Sequence, residues 1–174
     1  MKKSQTAMEY IMTYGWVILI IVVIITALFY LGLLNPVVPL KCVFPVGFTC
    51  ESFKLYTWYT AGTYGDLYLV LGQATGDTIT VRAVACTQSP TYPDQVSGCA
   101  PCANVTISSG SKAVIAGKPG TNYVRCMNAT NERNFDTTPS TLYRGKIYIN
   151  YTEGRTGLYR VIVGDLVARY EKIP

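Results

Sequence analysis

Histidine is absent from this 174-residue chain, so no Ser-His or Cys-His nucleophile pair can be built from it. The sequence also holds no glycine-rich phosphate-binding loop and no run of acidic metal ligands. Charge of either sign is scarce: Asp, Glu, Lys and Arg make up 14% of residues, and the net charge of +5 is too small a surplus to argue for nucleic acid. The scattered aspartates Asp66, Asp77, Asp94, Asp136 and Asp165 are read mainly as turn residues, where a short carboxylate bonds the local backbone, and none is given a catalytic role. These absences predict a protein that is not an enzyme, with no cofactor and no metal site.

Charge is missing most completely between Tyr10 and Leu34, an almost wholly apolar run. At 1.5 Å per residue it makes about 38 Å of helix, enough to cross a bilayer core of roughly 30 Å with some tilt. A secretory signal peptide has a shorter apolar stretch followed by a small-x-small cleavage site; this run is too long and its far end has no such site. Pro36 cannot continue helical hydrogen bonding and disfavours helix at Asn35, so the helix is expected to stop there. One reading is a plain N-terminal anchor with Lys2 and Lys3 held on the cytoplasmic side. Glu9 does not fit that reading well, because a carboxylate at the membrane threshold costs about 2 to 3 kcal/mol if it enters the core and normally has a partner.

The residues Lys2-Lys3-Ser4-Gln5-Thr6-Ala7-Met8-Glu9-Tyr10 ahead of a long apolar helix resemble the class III signal peptide of archaeal type IV pilin-like proteins. The resemblance covers roughly the first 36 residues. It implies that a prepilin peptidase cuts between Ser4 and Gln5, removing only the basic leader, leaving Gln5 as the new N-terminus and lowering the net charge to +3 by loss of Lys2 and Lys3. Glycine is common before the cut where this chain has Ser4, and many relatives carry serine where it has Ala7; both replacements are small. Glu9 then matches the glutamate that type IV pilins keep near the mature start. The implied role is assembly: the α-amine of a neighbouring subunit's Gln5 would neutralise the Glu9 carboxylate and fix register.

Beyond Pro36-Val37-Val38-Pro39, a proline-punctuated linker, no long helical periodicity remains. Short runs rich in Val, Ile, Tyr and Thr recur between Gly, Pro, Asn and Asp clusters, which predicts strands near 40–44, 53–59, 67–71, 78–86, 104–108, 112–116, 123–127, 145–151 and 157–170. The last two flank a glycine-containing loop and read as a β-hairpin. The alternation in Thr78–Val84 breaks at Val84, which predicts a bulge or a doubly buried face. The fold class expected is α+β: a long N-terminal hydrophobic α-helix followed by an all-β head of the immunoglobulin-like sandwich kind. Its parts are leader 1–4, membrane or filament-core helix 5–35, linker 36–39 and external head 40–174.

All six cysteines, Cys42, Cys50, Cys86, Cys99, Cys102 and Cys126, follow the apolar segment, and an even number on one side of a membrane favours disulfides in an exported domain. Cys42 with Cys50 is the local expectation, because Pro45 and Gly47 let the chain turn between them. The other four are expected to tie the 87–101 loop to the strands ending at Cys86 and Cys126, with a four-cysteine zinc site as the alternative. A redox role for Cys99-Ala100-Pro101-Cys102 would need the first cysteine at a helix start, whereas this pair lies in a loop-like stretch. Three N-x-[ST] triplets, at Asn104, Asn128 and Asn150, are glycosylation candidates, with Asn128 expected to be the most exposed. The fourteen tyrosines are expected to pack half-buried on strands rather than to bind ligand.

The expected function is a structural subunit of a type IV pilus-like surface filament, held in the membrane as a precursor and then extracellular. Its partners would be copies of itself, the prepilin peptidase and the assembly platform. Helix contacts are expected at Ile18, Ile21, Val22, Ile25, Leu28 and Phe29, with Gly15 and Gly32 allowing close approach or local unwinding. The alternatives are a singly anchored surface binding protein that never polymerises, or a minor pilin; an archaellin matches only through the leader and the apolar helix.

Overall fold

The computed structural model describes residues 3–32, 38–57, 65–91, 99–100, 104–117, 123–130 and 138–172. The chain divides into two units, Met1–Pro39 and Leu40–Pro174.

The first unit contains one helix, α1 (Lys3–Tyr30), which ends earlier than the proline at position 36 would require. Its terminator is Gly32, at φ 71°, whose N–H donates to the Phe29 carbonyl at 3.1 Å while Leu31 N–H donates to Ala27 at 2.9 Å. Glycine enters the left-handed region without a Cβ clash, so it closes a helix end that other residues would resist. The expected boundary at Asn35 and Pro36 lies outside the described residues.

The second unit is built from strands β1 (Lys41–Val43), β2 (Phe48–Thr57), β3 (Gly65–Gln73), β4 (Ile79–Thr87), β5 (Cys99–Ala100), β6 (Val105–Ile107), β7 (Lys112–Ala116), β8 (Tyr123–Met127), β9 (Leu142–Glu153) and β10 (Tyr159–Lys172). Hydrogen-bonded neighbours run β8, β3, β2, β10, β9, β4, and β4 pairs again with β8. The head is therefore a closed six-stranded barrel, which overturns the expected immunoglobulin-like sandwich. The physical reason is that inward–outward alternation is the same in a sandwich and in a barrel. What separates them here are two parallel contacts between strands distant in sequence, β10 with β2 and β4 with β8.

Inward positions follow the period of two. Leu67, Leu69 and Leu71 on β3, Ile147 and Ile149 on β9, and Leu166 on β10 are buried, together with Leu55, Ile79 and Val84. Each such side chain contributes about 2 kcal/mol of apolar burial, which is what fixes the register of the strands. The expected hairpin is present as β9 against β10, from Tyr159 opposite Thr152 to Arg169 opposite Leu142. The irregularity expected in the fourth strand is present too: the β4–β9 register shifts between Val81 and Ala83, and Val84 through Thr87 are all buried.

The barrel interior at one end is filled by two tyrosines, Tyr143 and Tyr170, whose ring centroids lie 6.0 Å apart at an interplanar angle of 72°. Tyr143 donates its hydroxyl hydrogen to the Met127 carbonyl at 3.0 Å. Burial pushes both phenols up from their ordinary value near 10, Tyr143 with a further push from Tyr170. Gly65 is glycine because the Tyr170 ring occupies the space its side chain would need.

Candidate assembly segment

In α1 the stretch Met12–Tyr30 is long and apolar enough to cross a membrane by length and composition. Nineteen residues at 1.5 Å span about 28 Å, close to the thickness of a hydrocarbon core. The helix has no polar face: Trp16, Ile18, Leu19, Ile21, Val22, Val23, Ile24, Ile25 and Phe29 are all exposed, and they point in every direction around the axis. Five of the six expected contact residues are thus open to whatever surrounds the helix; Leu28 is half-buried. Thr13 and Thr26 donate their hydroxyl hydrogens to the carbonyls of Glu9 and Val22, at 2.8 and 2.7 Å, so neither carries an unmet donor along an apolar surface.

Glu9 is the one charged residue of the helix beyond Lys3. It lies three residues, or about 4.5 Å of rise, ahead of Met12, so it marks the threshold of the span. Tyr10 and Tyr14, one turn apart, pack in a tilted arrangement with centroids 4.4 Å from each other, and with Trp16 they gather aromatic rings at the end that Glu9 marks. Such rings favour a membrane–water interface. Ser4 and Gln5 belong to the same helix, with Gln5 one turn ahead of Glu9.

In the head, Cys42 is bonded to Cys50 and Cys86 to Cys126. The second bond corrects the expectation that these strands are tied to the 87–101 loop: the sulfurs join strand to strand. It also engages two of the four ligands of the alternative zinc site. Cys99 contributes backbone to β5, opposite Val124, and Cys102 lies outside the described residues. Among the described residues no cluster of three or more potential metal ligands occurs.

The aspartates depart from the turn reading. Asp66 is buried on β3 opposite Arg125 of β8, and Asp165 lies on β10, 3.4 Å from Lys146 Nζ. Asp77 does sit in a turn, where its carboxylate accepts from the N–H groups of Thr78 and Arg155, at 2.8 and 3.0 Å. Asp94 and Asp136 lie outside the described residues. A shallow groove in the head is lined by Thr49, Glu51, Gln73 and Lys112. Gln73 is engaged there, donating to the carbonyls of Asp77 and Ile107 and accepting from the Thr75 N–H.

The three N-x-[ST] triplets fall in different settings, and the expectation that Asn128 is the most exposed is corrected: Asn104 is. Asn104 is exposed just ahead of β6, Asn128 is half-buried just after β8, and Asn150 is half-buried in the middle of β9.

No family model matches the chain, and no curated protein matches it. Among solved structures, the apo PCuAC domain from PmoF1 is similar at 12% identity, covering 75% of this chain and 100% of that one with a TM-score of 0.41. A likeness that distant leaves the reading to the chain's own residues. They define a class: a helix of membrane-spanning length followed by a disulfide-bonded closed β-barrel.

Proposed function

We propose that this chain is the structural subunit of a type IV pilus-like surface filament, made as a membrane-anchored precursor and assembled through α1. The observation that carries the reading is the pairing of a helix apolar on every side with a single carboxylate, Glu9, at its threshold. An anchor needs the first and has no use for the second. In the precursor the apolar run is solvated by lipid; in the filament the same surface is buried against the helices of other subunits, and Glu9 meets the amine freed by cutting before Gln5. At about 25 cal/mol per Å² the exchange is driven by burial with no directional requirement, while the charge pair supplies the register. The barrel head is then the outward-facing part.

The test is N-terminal sequencing of the chain from surface material, together with imaging of that material. Filaments whose subunit begins at Gln5 support the reading. A chain that keeps Met1 and remains monomeric in the membrane sinks it, and leaves the singly anchored surface protein.

A further inference from the structure

The three N-x-[ST] triplets are equal as sequence and unequal as structure. Asn150 and Thr152 lie on a strand paired on both sides, Asn150 opposite Val161 of β10 and Ala83 of β4. Extended backbone separates residues two apart by about 6.6 Å, which keeps the Thr152 hydroxyl away from the Asn150 amide. That hydroxyl instead accepts from Arg82 Nε at 3.2 Å, and Asn150 Oδ1 is buried with no hydrogen-bond partner among the described residues. Thr106 is likewise committed to a strand, opposite Thr80, with the two hydroxyls 3.4 Å apart.

Asn128 differs. It follows the last residue of β8, where the ladder has ended, and its carbonyl is held by the Thr87 hydroxyl at 3.2 Å. The chain then turns, and Asn128 Oδ1 accepts from both Thr130 N–H at 3.0 Å and Thr130 Oγ1–H at 2.8 Å. Ala129 and Thr130 are exposed. The triplet is folded back on itself at the surface, with its hydroxyl bonded to its own amide.

An amide nitrogen is a poor nucleophile because its electron pair is delocalised into the carbonyl. Two donors on Oδ1 stabilise the negative charge that gathers on oxygen as Nδ2 loses a proton, which makes the nitrogen easier to activate. We propose that Asn128, and neither Asn104 nor Asn150, is the N-glycan acceptor of the folded head, presented by the Thr130 hydrogen bonds that hold its amide. The co-reactant is a lipid-phosphate-linked oligosaccharide. Nδ2 forms the bond to the anomeric carbon, the carbon–oxygen bond to phosphate breaks, the lipid phosphate leaves with that electron pair, and the Nδ2 proton passes to a base of the transferase. The proposal rests on the exported-head reading above, since such donors are used outside the cytoplasm.

The experiment is independent of export. The purified full chain in detergent, folded in one sample and reduced and unfolded in the other, is incubated with a single-subunit oligosaccharyltransferase and a lipid-linked oligosaccharide, and glycopeptides are quantified by mass spectrometry. The folded chain is expected to take sugar at Asn128 at least about tenfold faster than at Asn104 or Asn150, and the preference is expected to collapse on unfolding. Asn128→Gln removes the dominant product. Preferred modification of Asn104 or Asn150 in the folded chain, no modification of it at all, or an unchanged Asn128 preference after unfolding would each overturn the proposal. An uncut Met1 on surface material would instead count against the filament reading.

Discussion

Cys86 lies in register with Cys126 across the parallel pair that closes the barrel, and their sulfurs are bonded. The hydrogen-bonded contact there is short, with two registered residue pairs. The other parallel contact, β10 with β2, has three, and β1 lies against β10 while its Cys42 is bonded to Cys50 of β2. Each parallel closure of the barrel therefore has a covalent bond beside it. Parallel pairs are slightly weaker per residue than antiparallel ones, and short ones are the places where a barrel opens first.

Removing Cys86–Cys126 is expected to destabilise the head more than removing Cys42–Cys50. The sequence separations are 40 and 8, for which loop-closure entropy gives about 4 and about 2.5 kcal/mol. Thermal unfolding of the two double Cys→Ala variants checks the order; equal losses would mean that loop closure does not set the difference.

Gly65→Ala is expected to cost about 1 to 3 kcal/mol, because its Cβ would meet the ring of Tyr170 in a packed interior. Combining it with Tyr170→Leu should give less than the sum of the two single losses. Urea midpoints of the single and double variants measure the coupling, and strict additivity would place the strain elsewhere.

Alkaline pH is expected to unfold the head. Tyr143 and Tyr170 have folded-state values raised above the ordinary value near 10 by burial. Above about pH 10 the unfolded chain releases these protons while the folded chain retains them, so the stability they contribute is complete below that pH and falls as pH rises. Tyrosinate absorbance should rise together with loss of structure, and Tyr143→Phe should weaken the dependence while costing about 1 to 2 kcal/mol at neutral pH for the lost bond to Met127. Ionisation well before unfolding would contradict the burial argument.

Glu9→Ala is expected to leave leader processing largely intact and to reduce incorporation into filaments. The readouts are the cut fraction in membranes and the subunit yield in sheared surface material. Normal filaments from this variant would remove Glu9 from the mechanism.

Much of the head was legible as strands and little of it as a fold. The alternation of Leu67, Leu69 and Leu71, and of Ile147 and Ile149, shows where chain is extended and which side is buried, because that information is local. Which strand lies beside which is not local: Tyr170 meets Leu55, and Cys86 meets Cys126, through pairings that no turn dictates. The Cys42–Cys50 bond could be read because its loop is short and holds Pro45 and Gly47; the partner of Cys86 could not. In α1 the apolar run and Glu9 were plain, but Pro36 drew the helix end too far along when Gly32 was the residue that set it. The Asn128 turn was hidden because the same N-x-T pattern falls ahead of a strand, after one and within one, a difference set by strand pairing rather than by the triplet.

The Cys42–Cys50 bond also decides how the head would carry a load. A pull transmitted through the chain from the helix reaches the barrel at Lys41, at the start of a strand only three residues long. Such a ladder would peel one residue at a time. One residue in, at Cys42, tension passes through sulfur to β2, a ten-residue strand paired along its length with β3. The first strand of the head is thus a tether clipped to the frame behind it, and dragging on the chain strains the whole wall of the barrel before it frays the edge.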